Sequence, residues 1–467
     1  MPDQGCYTRR RFLRTAVTGA LGVAAFPHLL RAQAGAGKRP NIIFLLADDQ
    51  RADTLGCMGN PVIQTPNLDA LAGDGVLFRN AFVTTSICCT SRASILSGQY
   101  ASRHGIESFS KSFRGEALRQ TYPALFHAAG YRTGFIGKYG VGNTPKEMLD
   151  FDRTFAGQGT YMHKHSGKDV HLTELMGLQA DEFFEGADAD RPFCLSVSFK
   201  APHVQNTNEF LPDPKYQDLY SDVQFNRPPT AGTYEEKFPD AFRENNEGRN
   251  RWEVRFGTDA KFRDSVRKYY RLITGIDAAV GHIRTTLERR GLADNTIIVY
   301  SSDNGFYLSE YGLAGKWWGH DVSARVPLIV YDPRKPATQR GLQRNELALN
   351  IDIAPTLLSQ AGIEIPARMQ GVDLSPLCTS GTTPEWRHDF FYENHFEPGK
   401  VRIPKTEGVR SQRFKYLRYP GLDPLFEELY DLHVDPTEAN NLANDERYAH
   451  IIEKGRARWK TLREEVK

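Results

Sequence analysis

The sequence predicts an α/β fold: a large mixed, mostly parallel sheet sandwiched by helices, with a smaller C-terminal antiparallel sheet plus helix subdomain. From residue 40 to about residue 380, short apolar runs rich in β-branched and aromatic residues alternate with amphipathic stretches. Such alternation is typical of buried parallel strands joined by crossover helices. After residue 380 the pattern changes to short strand-like segments and one closing helix.

Each element is predicted from its local pattern. Continuous apolar runs predict strands of the main sheet at 41–49, 134–140, 193–200, 295–305 and 326–332. Helical spacing that stops at or near a glycine predicts helices at 65–75, 121–130, 266–291 and 351–362. In the C-terminal subdomain we expect strands within 389–396, 413–420 and 426–432 and a closing helix over 448–466. Residues 205–260 are polar and broken by prolines and glycines. This composition predicts a long excursion of the chain over the rim of the sheet, and we expect this excursion to lie over an active site.

Residues 1–34 do not belong to this fold. Paired arginines in TRRRFLR (8–14), the apolar stretch AVTGALGVAAF (16–26) and the small residues up to Ala34 resemble a twin-arginine export signal cleaved after Ala34. The alternative is a membrane anchor, but 11 apolar residues fall short of the roughly 20 that span a bilayer. We therefore expect a periplasmic or secreted protein without a stable membrane anchor. The expected domains are 1–34 (signal peptide), 35–380 (catalytic) and 381–467 (C-terminal α+β subdomain).

Charge and cysteine content exclude two classes of protein. Loss of residues 1–34 removes five arginines and one aspartate, which changes the net charge from +2 to about −2. A chain with this balance has no bulk attraction for nucleic acid. The cysteines that remain are Cys57, Cys88, Cys89, Cys194 and Cys378. An odd, sparse set does not predict a disulfide scaffold, although an exported protein would permit one.

Two polar pairs follow two predicted strands directly. Asp48 and Asp49 follow NIIFLLA, and Asp303 and Asn304 follow NTIIVYSS. In open α/β sheets, ligands bind beyond the carboxyl ends of the strands. Four oxygen donors without a thiolate or an imidazole favour a hard cation, Ca²⁺ or Mg²⁺. A single pair would be explained as the start of a turn, but two pairs of mutually repelling groups indicate a compensating cation.

The segment SICCTSRASILSG (86–98) places two adjacent cysteines before an arginine at a predicted helix entrance. Ser91, or the residue before it, is expected to cap the helix, which leaves Cys88 near its positive end, with Arg92 adding a fixed charge. Such a position attracts anions. The alternatives are two buried thiols that pack as small hydrophobes, or a reactive thiolate.

This segment resembles the signature of the type I sulfatases of the alkaline phosphatase superfamily, Cys-x-Pro-x-Arg, in which a separate enzyme oxidises the cysteine to formylglycine. Only Cys88 has an arginine four residues on, so Cys88 takes the modified position and Cys89 the variable one. The resemblance covers nearly the whole chain after residue 34. It extends from NIIFLLADDQRADTLGCMGN through TPNLDALAGDGVLFRNAF to ELYDLHVDPTEANNLA.

The resemblance implies a fold like that of alkaline phosphatase and a complete active site. The implied ligands of a Ca²⁺ ion, with Mg²⁺ as the second choice, are Asp48, Asp49, Cys88 as formylglycine, Asp303 and Asn304. The implied catalytic residues are Cys88, Arg92, Lys138, His203 and Lys316. An aldehyde hydrate beside a cation is a nucleophile for sulfur, the cations neutralise the sulfate oxygens, and His203 or Lys316 protonates the departing alcohol. Taken singly, Lys138 and Lys316 are better explained as solvated surface lysines, since lysines are mostly exposed, and His203 is explained as a loop histidine.

The sequence departs from the family pattern at two positions. Thr90 stands where the family usually has Pro or Ala, next to the residue that a formylglycine-generating enzyme would modify. Gly140 stands where the family commonly has the histidine of Gly-Lys-x-His. The histidines considered as its replacement are His104, His163, His165 and His320.

We expect an exported sulfatase that acts on a sulfate ester of a carbohydrate or sulfated polysaccharide. The aromatic residues expected either to stack on sugar rings or to pack the subdomain are Trp252, Trp317, Trp318, Tyr307 and Tyr311. The alternatives are a phosphonate or phosphate ester hydrolase of the same superfamily and a noncatalytic glycan-binding sulfatase homologue.

Overall fold

The computed structural model describes residues 38–188, 190–205, 209–381, 383–396 and 402–467. The predicted signal peptide, residues 1–34, lies outside the described residues. Residues 38–467 cluster as one compact unit, and the domain boundary near residue 380 stays a prediction. None of the described helices combines the length and apolar character that a membrane span requires.

The strands and helices are numbered in chain order. The strands are β1 (Asn41–Asp48), β2 (Val76–Phe78), β3 (Ala81–Phe82), β4 (Arg132–Lys138), β5 (Phe151–Phe155), β6 (Met162–His165), β7 (Lys168–His171), β8 (Phe193–Pro202), β9 (Thr296–Ser302), β10 (Tyr307–Leu308), β11 (Ala314–Gly315), β12 (Arg325–Val326), β13 (Leu328–Tyr331), β14 (Leu342–Arg344), β15 (Ala348–Leu349), β16 (Asp389–Asn394), β17 (Thr406–Ser411), β18 (Phe414–Tyr419) and β19 (Phe426–Asp431). The helices are α1 (Pro66–Asp74), α2 (Cys88–Ser97), α3 (Ala101–His104), α4 (Gly115–Arg119), α5 (Tyr122–Ala128), α6 (Leu172–Glu185), α7 (Tyr234–Lys237), α8 (Asp240–Arg243), α9 (Glu247–Phe256), α10 (Asp259–Arg289), α11 (Asp321–Ala324), α12 (Ile353–Gln360) and α13 (Ala449–Glu465).

The main sheet has eight strands in the order β14-β2-β13-β9-β1-β8-β4-β5. The strands β9, β1, β8, β4 and β5 run parallel to one another, and β13 is antiparallel to both of its neighbours. The sheet is therefore mixed and mostly parallel, as predicted.

Helices cover both faces of the sheet, because its central strands are apolar on both faces, as the residues of β1 illustrate. Its residues Ile43, Leu45 and Ala47 belong to an apolar core shared with α1, α6 and α10. The alternate residues Ile42, Phe44 and Leu46 belong to a second core shared with α2, α5 and α12. Successive side chains of a strand point to opposite faces, so a continuous apolar run is what a sheet sandwiched by helices requires.

The structure adds elements that were not predicted, which include β2, β5, β14 and α6, and it differs from the prediction at three further places. The run 326–332 was expected among the parallel strands, but β13 is antiparallel, because the connection from β9 carries only the short helix α11 and no crossover helix over the sheet. The polar excursion 205–260 contains α9, whose start is capped by Asn246, the side chain of which accepts hydrogen bonds from Gly248 and Arg249. The C-terminal sheet contains β17, which was not predicted and which is stabilised by pairing with β16 and β18 on both edges.

The four strands β16 to β19 form an antiparallel sheet in sequential order, and α13 packs on it through Ile452. This is the predicted C-terminal sheet plus helix. A buried lysine of β18 joins this sheet to the segment before α11. The Nζ of Lys415, a side chain with 0% exposure, donates to the carbonyl oxygen of Gly319 at 2.9 Å and to Glu438 at 2.7 Å, and pairs with Asp321.

Replacement of Lys415 is expected to destabilise the fold strongly. The change Lys415→Met leaves the carboxylates of Asp321 and Glu438 without their shared cation, and breaking a buried pair in this way costs about 3–5 kcal/mol. The control is Lys460→Met on the exposed side of α13, expected to change stability by less than about 0.5 kcal/mol. Urea unfolding measures both free energies, and equal values would contradict the role given to Lys415.

Candidate active site

The two polar pairs predicted from the sequence meet at the carboxyl edge of the main sheet. Strands β1 and β9 are parallel neighbours in which Ala47 pairs with Ser302, so the residues that follow them emerge side by side. The backbone N–H of Asp49 donates to Oδ1 of Asp303 at 3.1 Å. Asn304 donates from Nδ2 to Oδ1 of Asp49 at 2.7 Å. Asp48, Asp49, Asp303 and Asn304 thus form one buried cluster.

Cys88 lies at this cluster because α2 begins with it. Its Sγ lies 3.2 Å from Oδ1 of Asp48 and 2.9 Å from Nζ of Lys316. The prediction that Ser91 caps the helix is wrong, because the N-cap residue is Ile87. The backbone N–H of Ser91 donates to the carbonyl oxygen of Ile87, so Ser91 already lies inside the helix. Cys88 is therefore in the first turn, where unpaired backbone N–H groups give the helix its positive end.

Three buried cations separate the three carboxylates. Arg92 donates from Nε to Oδ2 of Asp303 at 2.8 Å, and Lys138 donates from Nζ to Oδ2 of Asp48 at 2.5 Å. Lys316 pairs with Asp49. The three cationic side chains are at most 5% exposed, so neither lysine is a surface lysine.

The burial of these charges sets their pKa values. Burial raises the pKa of the Asp303 carboxyl to about 6, helped by the charge of Asp48 and opposed by Arg92. Burial also raises the pKa of Asp48, but Lys138, His203, Arg92 and Lys316 outweigh it and leave that pKa well below its usual value. The pKa of the Cys88 thiol is raised by burial and by the charges of Asp303 and Asp48.

The donor set fits a hard divalent cation. Side-chain atoms of Asp48, Asp49, Cys88 and Asp303 lie within 4.8 Å of one another. The Oδ1 of Asn304 is buried and has no hydrogen-bond partner among the described residues, because the amide is oriented by its Nδ2. Carboxylate and amide oxygens are the ligands of Ca²⁺ and Mg²⁺. The three carboxylates balance three cations, so a divalent ion would leave a net positive centre suited to an anionic ester.

A cleft of about 320 Å³ opens onto Cys88. The residues that line it with Cys88 include Phe109, Gln158, His203, Glu247, Arg251, Lys316 and Trp317. His203 places its Nε2 3.6 Å from Oδ2 of Asp49 while its Nδ1 lies 2.6 Å from the carbonyl oxygen of Val204. Burial lowers the pKa of His203 to about 3. Glu247 and Arg251 belong to α9, so the excursion 205–260 does border the site.

None of the four histidines considered as replacements lines this cleft. His104 contacts Ser94 Oγ at 3.0 Å, and His163 contacts the carbonyl oxygen of Thr160. His165 ends β6, whose partner is β7. His320 is buried between Tyr307 and Glu428. Within the described part of the chain, His203 is the histidine that lines the cleft with Cys88.

Gly140 has no room for a side chain. Its φ of 75° is a conformation that favours glycine. A Cβ there would lie 2.7 Å from Cδ of Arg92, and the hydrogen bonds of Arg92 to Asp303 and Ser198 hold that arginine in place. The backbone at 140 thus passes directly over Arg92.

The aromatic residues mostly pack the interior. Trp318 and Tyr307 are 0% exposed, Tyr311 is 1% exposed and Trp317 is 3% exposed. Four of the five therefore pack the interior, and Trp317 alone of these four borders the cleft. Trp252 is half-buried and donates from Nε1 to Ser309.

Three further residues of the site were missed in the sequence. Ser198 accepts a hydrogen bond from Arg92 at 2.5 Å. Gln158 accepts one from Lys138 at 3.3 Å and lines the cleft. Lys200 donates to the carbonyl oxygens of Gln158 and Gly159 and so fixes that loop; burial lowers the pKa of Lys200 to about 8. Ser198 and Lys200 alternate at the polar end of an otherwise apolar strand, a signal that could have indicated them.

This arrangement, a nucleophile position among balanced charges at the carboxyl edge of a mixed sheet, is that of a hydrolase for anionic esters. A family model described as Sulfatase matches residues 40–363, and one described as N-sulphoglucosamine sulphohydrolase, C-terminal, matches residues 309–465. The chain belongs to the sulfatase family, within the alkaline phosphatase superfamily, and is a sulfuric ester hydrolase.

Individual relatives agree with this assignment. The chain is 29% identical over 479 residues to an N-acetylglucosamine-6-O-sulfatase of Bacteroides thetaiotaomicron, a match covering 88% of this chain and 84% of the relative. It is 27% identical to an ulvan-active sulfatase of Formosa agariphila, covering 91% and 80%. A solved structure of a protein with its substrate D-glucosamine-2-N,6-O-disulfate is 28% identical, with a TM-score of 0.81 and coverage of 92% and 98%. A phosphonate monoester hydrolase of Agrobacterium radiobacter, 23% identical, has a TM-score of 0.78 and coverage of 92% and 96%, which shows a common fold.

Substitution of Gly140 is expected to disturb the site through Arg92. The change Gly140→Ala adds a Cβ that must displace Arg92, in addition to the strain of a positive φ, for a total of about 2–4 kcal/mol of stability. The control is Gly291→Ala, where φ is 66° and nothing lies within 4 Å of the added Cβ, so only the strain of about 1 kcal/mol remains. Chemical denaturation measures the difference, and an equal loss in both variants would show that Arg92 is not displaced.

Proposed function

We propose that the protein hydrolyses sulfate esters of carbohydrates, with formylglycine formed from Cys88 as the nucleophile and Ca²⁺ as the resident cation. The observation that carries the proposal is the position of Cys88 Sγ, which lies within 3.2 Å of both an oxygen of Asp48 and the ammonium of Lys316. The relatives act on sulfated sugars: one is named for N-acetylglucosamine 6-sulfate and another for ulvan.

Asp48, Asp49, Asp303 and Asn304 would hold the cation. A bound Ca²⁺ would polarise the ester and stabilise an ionised hydroxyl, and the hydrate of formylglycine would offer one hydroxyl for attack on sulfur and a second for release of the sulfate. Mg²⁺ is the second choice, because it demands a more regular, octahedral set of ligands.

The chain's own residues prepare this chemistry. Lys316 keeps its proton, because although burial opposes the charge, Asp49, Cys88 and Asp48 raise the pKa of its ammonium above the usual value. It therefore acts as a hydrogen-bond donor beside the nucleophile and toward developing negative charge. Lys138 holds Asp48 in the same way from the opposite side. Arg92 does not line the cleft and acts through Asp303, whose carboxylate it orients.

Lys316 and His203 both line the cleft. Lys316, which keeps its proton, is placed to donate it to a leaving alcohol that departs from the sulfur toward the opening, whereas His203, whose pKa burial lowers to about 3, is neutral at pH 7 and takes part as a hydrogen-bonding partner. The carbonyl oxygen of Val204 and Oδ2 of Asp49 lie against the two nitrogens of the His203 ring and orient it. No histidine stands at position 140, so we propose that the sulfate-releasing step uses this same pair.

The walls of the cleft suit a sugar. Arg251 donates to Glu247 at 2.6 Å and lies over the Trp317 ring with its Cζ 4.9 Å from the centroid. A carboxylate, a guanidinium and an aromatic edge together offer the acceptors, donors and apolar contact that hydroxyl-rich ligands need.

Maturation must precede folding. Cys88 is 1% exposed, so a formylglycine-generating enzyme has to act on the unfolded chain, next to Thr90 in place of the usual Pro or Ala. We propose that this occurs in the cytoplasm and that the folded protein is then exported to the periplasm or beyond by the twin-arginine signal of residues 1–34.

Two measurements test this proposal: the mass of the peptide that contains Cys88, and the turnover of a variant in which Cys88 is replaced. Coexpression with a formylglycine-generating enzyme is expected to give the aldehyde mass in the peptide containing Cys88. The change Cys88→Ala is expected to lower turnover of an aryl sulfate by about 10³-fold or more. The control is Cys89→Ala, which changes the adjacent buried thiol and retains turnover.

The same assay separates the alternatives. Faster turnover of an aryl phosphonate than of an aryl sulfate would establish the phosphonate hydrolase. An unconverted thiol, with saturable sugar binding and no sulfate release, would establish a noncatalytic glycan-binding protein.

Calcium is expected to stabilise the protein after chelator treatment. A ligand that binds only the folded state adds about 2.7 kcal/mol at a hundredfold excess over its Kd. The change Asn304→Ala removes the unpaired Oδ1 and should weaken calcium binding by about ten- to hundredfold, whereas Asn250→Ala, an exposed position on α9, should leave it unchanged. The melting temperature is followed against calcium concentration; if it does not rise in the unmutated protein, the cation assignment is wrong.

A further inference from the structure

A second cleft, of about 740 Å³, lies beside the cleft that opens onto Cys88. The same three chain segments line both clefts. From these segments, Phe109, Phe396 and Ile403 line the Cys88 cleft, and Glu107, Ser108, His395, Lys405 and Glu407 line the second cleft. The rings of Phe109 and Phe396 stand edge to face with centroids 6.0 Å apart. A thin wall built on these segments therefore separates the two clefts.

The second cleft is rich in cations, and we name it the basic cleft. Its cationic residues are Lys111, His395, Lys405, Arg418 and Arg463. Its two carboxylates, Glu107 and Glu407, both lie against His395, at 3.6 and 3.1 Å. Hydrogen bonds to Glu107 and Glu407 raise the pKa of His395 to about 9. Cationic side chains therefore outnumber carboxylates in this lining, in a chain whose net charge without residues 1–34 is about −2.

One guanidinium of the basic cleft is held in place by stacking and not by an ion pair. Arg418 lies over the indole of Trp459, with its Cζ 3.9 Å from the ring centroid. Its Nε is buried without a hydrogen-bond partner, and its guanidinium forms no ion pair with the described residues. Trp459 is itself fixed by the hydrogen bond from its Nε1 to Glu407 at 2.9 Å. Stacking thus orients a guanidinium whose terminal N–H groups, unlike its buried Nε, remain available for an anion.

We propose that the basic cleft is a second anion subsite, which binds a further sulfate or carboxylate of the carbohydrate chain whose sulfate ester lies at Cys88. The inference rests on the proposed function and narrows its substrate class. It selects a polyanionic oligosaccharide, with at least two charged groups on neighbouring sugars, over a monosaccharide that carries one sulfate. A chain that passes the Phe109–Phe396 wall would place one group in each cleft.

The test is a binding measurement that needs no turnover. The Cys88→Ala protein is titrated calorimetrically with a heparin-derived tetrasaccharide and with glucosamine 6-sulfate. The change Arg418→Gln is added to it, and Arg447→Gln is the control, because Arg447 has an 82% exposed side chain and does not line the basic cleft.

Arg418→Gln is expected to weaken tetrasaccharide binding about tenfold, the loss of one charge-assisted hydrogen bond, and to change glucosamine 6-sulfate binding less than twofold. Arg447→Gln is expected to change neither. An unchanged tetrasaccharide affinity in Arg418→Gln, or an equal loss of affinity for both sugar ligands, would overturn the subsite. So would a DNA oligonucleotide that binds the cleft as tightly as the tetrasaccharide does. Failure of the unmutated enzyme to release sulfate, with the tetrasaccharide result intact, would overturn the proposed function and leave the subsite standing.

Discussion

The site depends on the mutual neutralisation of three buried carboxylates and three buried cations. Asp48, Asp49 and Asp303 could not remain ionised together in a dry interior, since like charges at this distance raise one another's pKa. Arg92, Lys138 and Lys316 resolve the conflict, and each reaches the cluster from a different part of the chain. Because removal of one partner leaves a buried charge unpaired, the start of α2, the end of β4 and the loop after β11 are all fixed by this balance.

The molecule separates the chemical centre from the walls that select the substrate. The charged centre is built at the ends of strands and at a helix start, which are rigid elements. The cleft walls come largely from α9 and from residues 107–109, 395–396 and 403–407. Since loops tolerate change better than the scaffold does, a family with one chemistry can present different clefts to different sulfated sugars. The C-terminal sheet contributes to the scaffold and to a cleft wall, because Lys415 of β18 joins it to the segment before α11 and Arg418 of the same strand lines the basic cleft.

Position 140 shows where resemblance to a family ends. A histidine is common there in the family, and a search of this sequence for a substitute finds four histidines without a way to choose. The structure excludes all four as substitutes, because none of them lines the cleft that opens onto Cys88. It also explains the glycine, because the backbone at position 140 has a positive φ and passes directly over Arg92. Among the described residues, His203 then remains the histidine that lines the cleft, together with Lys316.

The sequence by itself determined five of the eight strands of the main sheet, most of its helical cover, the C-terminal sheet plus helix and the two polar pairs at strand ends. These follow from short-range signals: apolar runs of strand length, glycine stops, and polar pairs at strand ends. The cations Lys138 and Lys316 were implied only by the resemblance to the sulfatases. The sequence could not determine the direction of β13 or the existence of β17, because strand pairing depends on partners distant in the chain. Nor could it find Gln158, or show that Trp318 is buried whereas Arg418 stacks on Trp459 without an ion pair to the described residues. Burial and charge neutralisation are properties of several segments brought together, so only the tertiary structure decided them.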